Sequence, residues 1–342
     1  MHDKPGISQT TRGVTIVSFL LGLLAPSPAL ADDPWIVYPG GGGPGAGKHI
    51  VLIAADDEYR SEQSIPALAQ ILAKRHGFTC TVLFAIDPKD GSINPTVKDN
   101  IPGLDALARA DLLVFFARFR ELPDDEMRKI LEYVDSGKPI LALRTSTHPF
   151  SYDTRKDSPY AKFDWRSQHP KGGFGRYVFG ETWVNHYGAH QAESTRGLIA
   201  PGQEQNPILR GVTDIWGPSD VYEVRDLEGD CTPLILGQIL TGMKPSDPPK
   251  PGMKQLPVAW TRNFTGPSGR TARIFTTTMG HVGDFESEGF RRLLVNACYW
   301  GLGMESLIPE KADVEFVSPF KPTPIGFGTH LKGIKPKDLK ID

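Results

Sequence analysis

The chain has 342 residues, 39% of them hydrophobic and 23% charged, with a formal net charge of −2. This is ordinary globular composition with enough apolar mass for a sizeable core, and a near-neutral surface without a basic block argues against nucleic acid as a partner. Three cysteines, Cys80, Cys231 and Cys298, exclude a disulfide-built scaffold, though one bridge fits an oxidising compartment.

Lys4 and Arg12 precede an apolar run over 14–24, followed by Pro26-Ser27-Pro28-Ala29-Leu30-Ala31. A basic start, a short apolar stretch and a small-x-small end predict a secretory signal peptide over 1–31, and so a secreted or periplasmic protein. The run is too short for a permanent membrane span, and no later segment reads as one. Without the leader the formal charge becomes −3, since Lys4, Arg12 and Asp3 go with it.

The glycines of 32–47 and Lys48 suggest a phosphate loop, but His49 replaces the required Ser or Thr and the strand follows the glycines. The stretch reads as a flexible lead-in to a domain over 48–303. Within that domain, continuous apolar runs at 49–55, 78–84, 111–116 and 138–143 read as strands, with helical patterns around 65–73, 104–108 and 123–136 between them. Strands that do not alternate, joined by helical crossovers, predict an α/β fold with a mainly parallel, three-layer, flavodoxin-like sheet. Residues 144–216 read as long loops rich in glycine, aromatics and histidine. Strands are expected again near 233–240, 256–260 and 272–277, then a helix over 286–301 and an extended Pro- and Lys-rich tail over 304–342.

Open parallel sheets bind ligands beyond the C-terminal ends of their strands. The segments leaving those ends carry Asp56-Asp57-Glu58-Tyr59-Arg60, Arg118-Phe119-Arg120 and Arg144-Thr145-Ser146-Thr147-His148. The three acids suit either a helix cap or a site. His148 lies just past a buried strand. His186 and His190 stand four apart, a metal-ligand spacing on a helix, but Gly188 between them favours a loop. His281 ends the strand begun near Ala272, and Asp220 and Glu223 complete an acid/base or metal constellation, or else a hydrogen-bonded turn. None of the cysteines follows a strand as a poised thiolate would, and no Gly-x-Ser-x-Gly elbow occurs.

In order, residues 137–148 (GKPILALRTSTH), 179–186 (FGETWVNH), 206–212 (NPILRGV), 219–223 (SDVYE), 257–260 (PVAW) and 270–281 (RTARIFTTTMGH) resemble the trehalose-utilisation, ThuA-like family over roughly residues 48–303. The resemblance implies a class I glutamine-amidotransferase-like fold. Glutaminase activity is not expected, because Thr145 and Ser146 occupy the turn where such an enzyme carries its cysteine. Asn206 stands where the family often has a histidine.

The resemblance points to sugars or keto-sugars and to His148, His186, Asp220, Glu223 and His281. The expectation is an exported hydrolase or lyase acting on a small carbohydrate, a glycoside or keto-sugar. His148, His281, Asp220 and Glu223 are its catalytic candidates, and Tyr59, Arg60, Arg144, Trp183 and Tyr222 its substrate-binding ones. A divalent metal on His148, His186 and His281 is the candidate cofactor. The alternatives are a non-catalytic sugar-binding or scaffolding domain, and a partner-binding role for the tail.

Overall fold

A computed structural model describes residues 33–341 together with residues 1, 2 and 6, so the leader expected at 1–31 lies almost wholly outside the described residues. Chain order is β1 (Trp35–Tyr38), β2 (His49–Ala55), α1 (Ser61–His76), β3 (Thr79–Phe84), β4 (Leu112–Ala117), α2 (Asp124–Asp135), β5 (Ile140–Leu143), β6 (Thr195–Ile199), β7 (Trp216–Gly217), β8 (Thr232–Ile239), β9 (Leu256–Thr265), β10 (Thr271–Thr277) and α3 (Glu288–Gly301).

The strands form one sheet in the order β1-β3-β2-β4-β5-β10-β9-β8-β6-β7. Its middle five, β3-β2-β4-β5-β10, are parallel neighbours. Counted along the chain these five run 2-1-3-4-5, the flavodoxin-like order, which places a topological switch point between β2 and β4. The mainly parallel expectation therefore holds for the central strands, while β9, β8, β6 and β7 extend the sheet in antiparallel fashion. Short connections explain the change: β8, β9 and β10 follow one another without a helix, so each must turn back beside the last.

Successive residues of β2 point to opposite faces. Ile50, Leu52 and Ala54 join a core with Leu68 and Leu72 of α1 and Leu293 and Leu294 of α3. Val51, Ile53 and Ala55 join a second core with Leu104 and with Met127 and Ile130 of α2. Both faces of the parallel strands are covered, which is why those strands read as unbroken apolar runs. Helix α1 stops at Gly77, whose φ of 83° lets its N–H turn back onto the Ala73 carbonyl. Helix α3 starts at Ser287, whose side chain accepts from Phe290 N–H.

Two terminal segments differ from expectation. The lead-in over 32–47 contains β1, paired antiparallel with β3, and three of its glycines, Gly40, Gly43 and Gly45, pack closely: a Cβ on Gly40 would lie 2.3 Å from the Gly77 carbonyl oxygen. Glycine there serves close approach to the end of α1, not flexibility. The tail over 304–342 has little regular structure, but it lies against the domain, with Tyr38 Oη donating to Leu339 O at 2.9 Å. Cys80, Cys231 and Cys298 are free thiols. No helix among the described residues is long and apolar enough to cross a membrane.

Candidate metal and sugar site

Backbone strain marks one edge of the sheet. Arg60, Phe119 and Arg144 follow the C-terminal ends of β2, β4 and β5 with φ of 63°, 49° and 41°. Left-handed backbone at residues with a Cβ costs on the order of 1–3 kcal/mol each, and it persists where the surroundings hold it in place. All three lie at the edge where open α/β sheets bind ligands, beside the switch point. The turn directly after β5 is occupied by Arg144, immediately before the Thr145 and Ser146 singled out from the sequence.

Arg144 is fully buried and organises this edge. Its guanidinium lies 4.0 Å from the Tyr59 ring and 4.4 Å from the Tyr222 ring, and Nη2 donates to Asp220 Oδ1 at 2.9 Å. Both tyrosines are buried and spend their faces on this cation; the Tyr222 hydroxyl reaches that of Tyr59 at 3.5 Å. Burial would raise the Asp220 carboxyl, but the Arg144 charge and two imidazoles outweigh it and hold the group ionised, far below the usual carboxylate range.

Those imidazoles belong to His186 and His190. His186 Nδ1 lies 2.6 Å from Asp220 Oδ2, and His190 Nδ1 lies 3.0 Å from Asp220 Oδ1. The other nitrogen of His190, Nε2, lies 3.3 Å from Glu58 Oε1. Bonds to Asp220 and then Glu58 push His190 up to about 9. Burial would raise Glu58, but its bond to His190 and the charges of Arg118 and Arg144 bring it below its ordinary value. One donor atom from each of His186, His190 and Asp220 falls within 4.8 Å of the others, the one such metal-sized group among the described residues. The ligand set expected from the sequence, His148, His186 and His281, thus gives way to one that keeps only His186. The four-residue spacing works here on a loop, because an isolated bridge between His186 and Tyr222 docks the histidine segment beside Asp220.

The remaining candidates lie around this group. His148 is buried, its ring 5.1 Å from Phe119 and 5.6 Å from Trp183. Burial and the nearby Arg118 and Arg144 charges keep it neutral. Thr147 Oγ1 donates to Arg144 O at 3.2 Å and lies 3.1 Å from His148 Nδ1.

One tautomer follows for His281. Its Nδ1 accepts from Gly283 N–H at 2.8 Å, so Nε2 bears the proton. Burial, with the Arg144 and His190 charges, pushes this imidazole down to about 3. Glu223 does not join the cluster; it pairs with Arg225 at 2.8 Å. Of the three acids after β2, Asp56 is a turn residue accepting from Glu58 N–H at 2.9 Å and from Thr145 Oγ1 at 2.7 Å, Asp57 pairs with Lys98 and Arg118, and Glu58 faces His190.

Arg60 commits its guanidinium to the tail. Its Nε donates to Pro324 O at 2.9 Å and its Nη2 to Gly326 O and Thr329 Oγ1. These bonds, with Gly326 N–H donating to Glu58 O at 2.9 Å, strap the tail across the site. Thr323, Pro324 and Ile325 therefore form one wall of a cavity of about 300 Å³, whose other walls include Arg144, His190, Asp220 and His281. The sequence offers His190 as a metal partner of His186 and Glu58 as either cap or site, without placing either among the candidate site residues, and it gives no sign that the tail segment joins the site.

A profile of the family ThuA, described as trehalose utilisation, matches residues 50–301. A solved structure of a protein described as ThuA-like from Parabacteroides merdae is 17% identical, covering 86% of this chain and 99% of that one with a TM-score of 0.46. Another so described, from Bacteroides uniformis, is 13% identical, covering 77% of this chain and 94% of that one with a TM-score of 0.45. Comparison with curated proteins gave no match.

Proposed function

The chain belongs to the trehalose-utilisation (ThuA) family, and from that premise we propose that it is an exported hydrolase or lyase acting on a glycoside or keto-sugar at a divalent-metal centre of His186, His190 and Asp220. The observation that carries this reading is the convergence of those three donors, with Glu58 on the far nitrogen of His190. Two imidazoles and a carboxylate suit a borderline divalent ion such as zinc or manganese, and a carboxylate on the non-ligating nitrogen is the usual way a metal-bound histidine is oriented. A bound ion would supply Lewis-acid polarisation of sugar oxygens.

The chain's own residues supply the rest. Arg144 keeps Asp220 ionised and fixed. His148 and His281, both held neutral by burial and neighbouring cations, flank the centre as hydrogen-bonding imidazoles rather than strong bases, with His281 offering Nε2–H as a donor. The cavity of about 300 Å³ bounded by the tail suits a small sugar. The scaffold is read as amidotransferase-like without amidotransferase chemistry, since the turn after β5 carries Arg144, Thr145 and Ser146 and no cysteine. The leader composition at 1–31 supports export.

The test is a panel of glycosides and their keto derivatives offered to the metal-loaded chain. Release of a reducing sugar marks hydrolysis, and an unsaturated product absorbing in the ultraviolet marks a lyase. His186→Ala should abolish either. Binding without turnover across the panel would leave a sugar-binding domain instead.

A further inference from the structure

Asp220 and His281 reach the same cavity from two different loops, which follow β7 and β10. One side chain ties these loops together. Asp284 is fully buried in the short turn Val282–Glu286, and its Oδ2 accepts from Gly280 N–H at 2.7 Å, from His281 N–H at 3.0 Å and from the Ser219 hydroxyl at 2.8 Å. The bond from His281 N–H is the ordinary return of a turn's third residue onto its cap. The bond from Ser219 is not local: it comes from the other loop, at the residue immediately before Asp220.

The two loops interlock closely. A Cβ on Gly217 would lie 2.0 Å from Asp284 Oδ1, and one on Gly283 would lie 2.6 Å from the Pro218 ring, so a side chain at either glycine would push the loops apart. Other bonds keep the surroundings folded. Ser287 Oγ donates to Asp214 O at 3.0 Å, holding the approach to β7, and Arg144 Nη1 donates to Thr278 O at 2.9 Å while its Nη2 holds Asp220 Oδ1. What Asp284 adds is a direct link between the backbone that carries His281 and the residue that precedes Asp220.

We propose that Asp284 is a positioning residue of this centre. Through Ser219 on one side and the Gly280 and His281 amides on the other, it fixes the Asp220 carboxylate relative to His186 and His190 and relative to the His281 imidazole. It acts through these neighbours and not on an ion or a substrate. The proposal rests on the reading of His186, His190 and Asp220 as a metal centre.

Titration of the full chain with cobalt(II) tests it, because the visible absorption of bound cobalt reports the geometry of its ligands as well as the affinity. Asp284→Ala should weaken cobalt binding about tenfold and shift the visible bands. Asp284→Asn, which keeps one acceptor oxygen, should recover most of that affinity. Ser219→Ala cuts only the bond toward Asp220, so it should shift the bands and lower the affinity severalfold while melting close to the parent chain; it carries the test even if Asp284→Ala fails to fold. A Ser219→Ala chain with the parent's spectrum and affinity would overturn the role, as would an Asp284→Asn chain that loses as much as Asp284→Ala. The parent chain separates the two readings. A parent that binds cobalt while the variants bind it identically refutes the positioning role alone, whereas a parent that binds no cobalt refutes the metal centre and the role with it.

Discussion

Arg144 and Asp220 form an ion pair in which neither side chain is exposed, with Nη2 and Oδ1 2.9 Å apart, between the rings of Tyr59 and Tyr222. Such a pair adds little to stability by itself, because desolvation offsets the attraction, but breaking it strands a buried charge. Asp220→Ala should therefore destabilise the fold by about 3–5 kcal/mol in chemical denaturation, with Asp220→Asn milder because it keeps an acceptor for Arg144. An unchanged midpoint for Asp220→Ala would show that the pair does not hold this edge together.

Glu58 acts through His190 rather than on a ligand. Glu58→Ala should weaken zinc or manganese binding by about 10- to 100-fold, and Glu58→Gln, which still offers an oxygen to Nε2–H, should recover part of that loss. Competition titration against a chromophoric chelator reads both, and equal affinities in all three proteins would remove Glu58 from the site.

Much of the scaffold was legible in the sequence, because buried parallel strands and amphipathic crossovers leave period signals. The runs at 49–55 and 111–116 are β2 and β4 within a residue. The strands β1, β6 and β7 were not legible: they are short and edge-like, with mixed burial, and pair with partners distant in sequence. The site divides in the same way. His148, His281 and Arg144 leave strand ends directly, so topology announced them. His190 and Glu58 meet only because a loop docks through the bridge between His186 and Tyr222, and no local spacing encodes that contact. Arg60 misled because a charged residue at a strand end reads as a ligand group, whereas its acceptors come from more than 260 residues away in the chain.

The tail is part of the site. Truncation after Pro322 removes the wall formed by Thr323, Pro324 and Ile325 together with the acceptors of the buried Arg60. Each hydrogen bond to a charged group is worth about 1.5–3 kcal/mol, so the truncated chain should melt at a lower temperature and bind sugars more weakly while keeping its metal. Retention of full sugar affinity would separate the tail from the cavity.

Glu62 sets a pH dependence away from the metal. Burial, opposed by Arg60, raises its carboxyl to about 7 from an ordinary 4.5, and Oε2 has no partner. Arg60 lies 3.3 Å away but divides its N–H groups among the tail acceptors, so burial prevails. A raised carboxyl favours the protonated fold. Its stabilisation is complete below about pH 4.5 and disappears as pH rises through 7, a span of about 3 kcal/mol at most. Glu62→Gln should flatten the fall in stability between these pH values and be the more stable protein above pH 7. Parallel pH profiles for the two proteins would contradict the assignment.

Metal content of purified chains separates a centre built on His186, His190 and Asp220 from one built on His148 and His281. Elemental analysis should find about one divalent ion per chain. The ion should be lost in His186→Ala and in His190→Ala but retained in His148→Ala and His281→Ala. A chain that takes up no ion when supplied with zinc or manganese, or one that keeps its ion without His186 and His190, would contradict the centre on His186, His190 and Asp220.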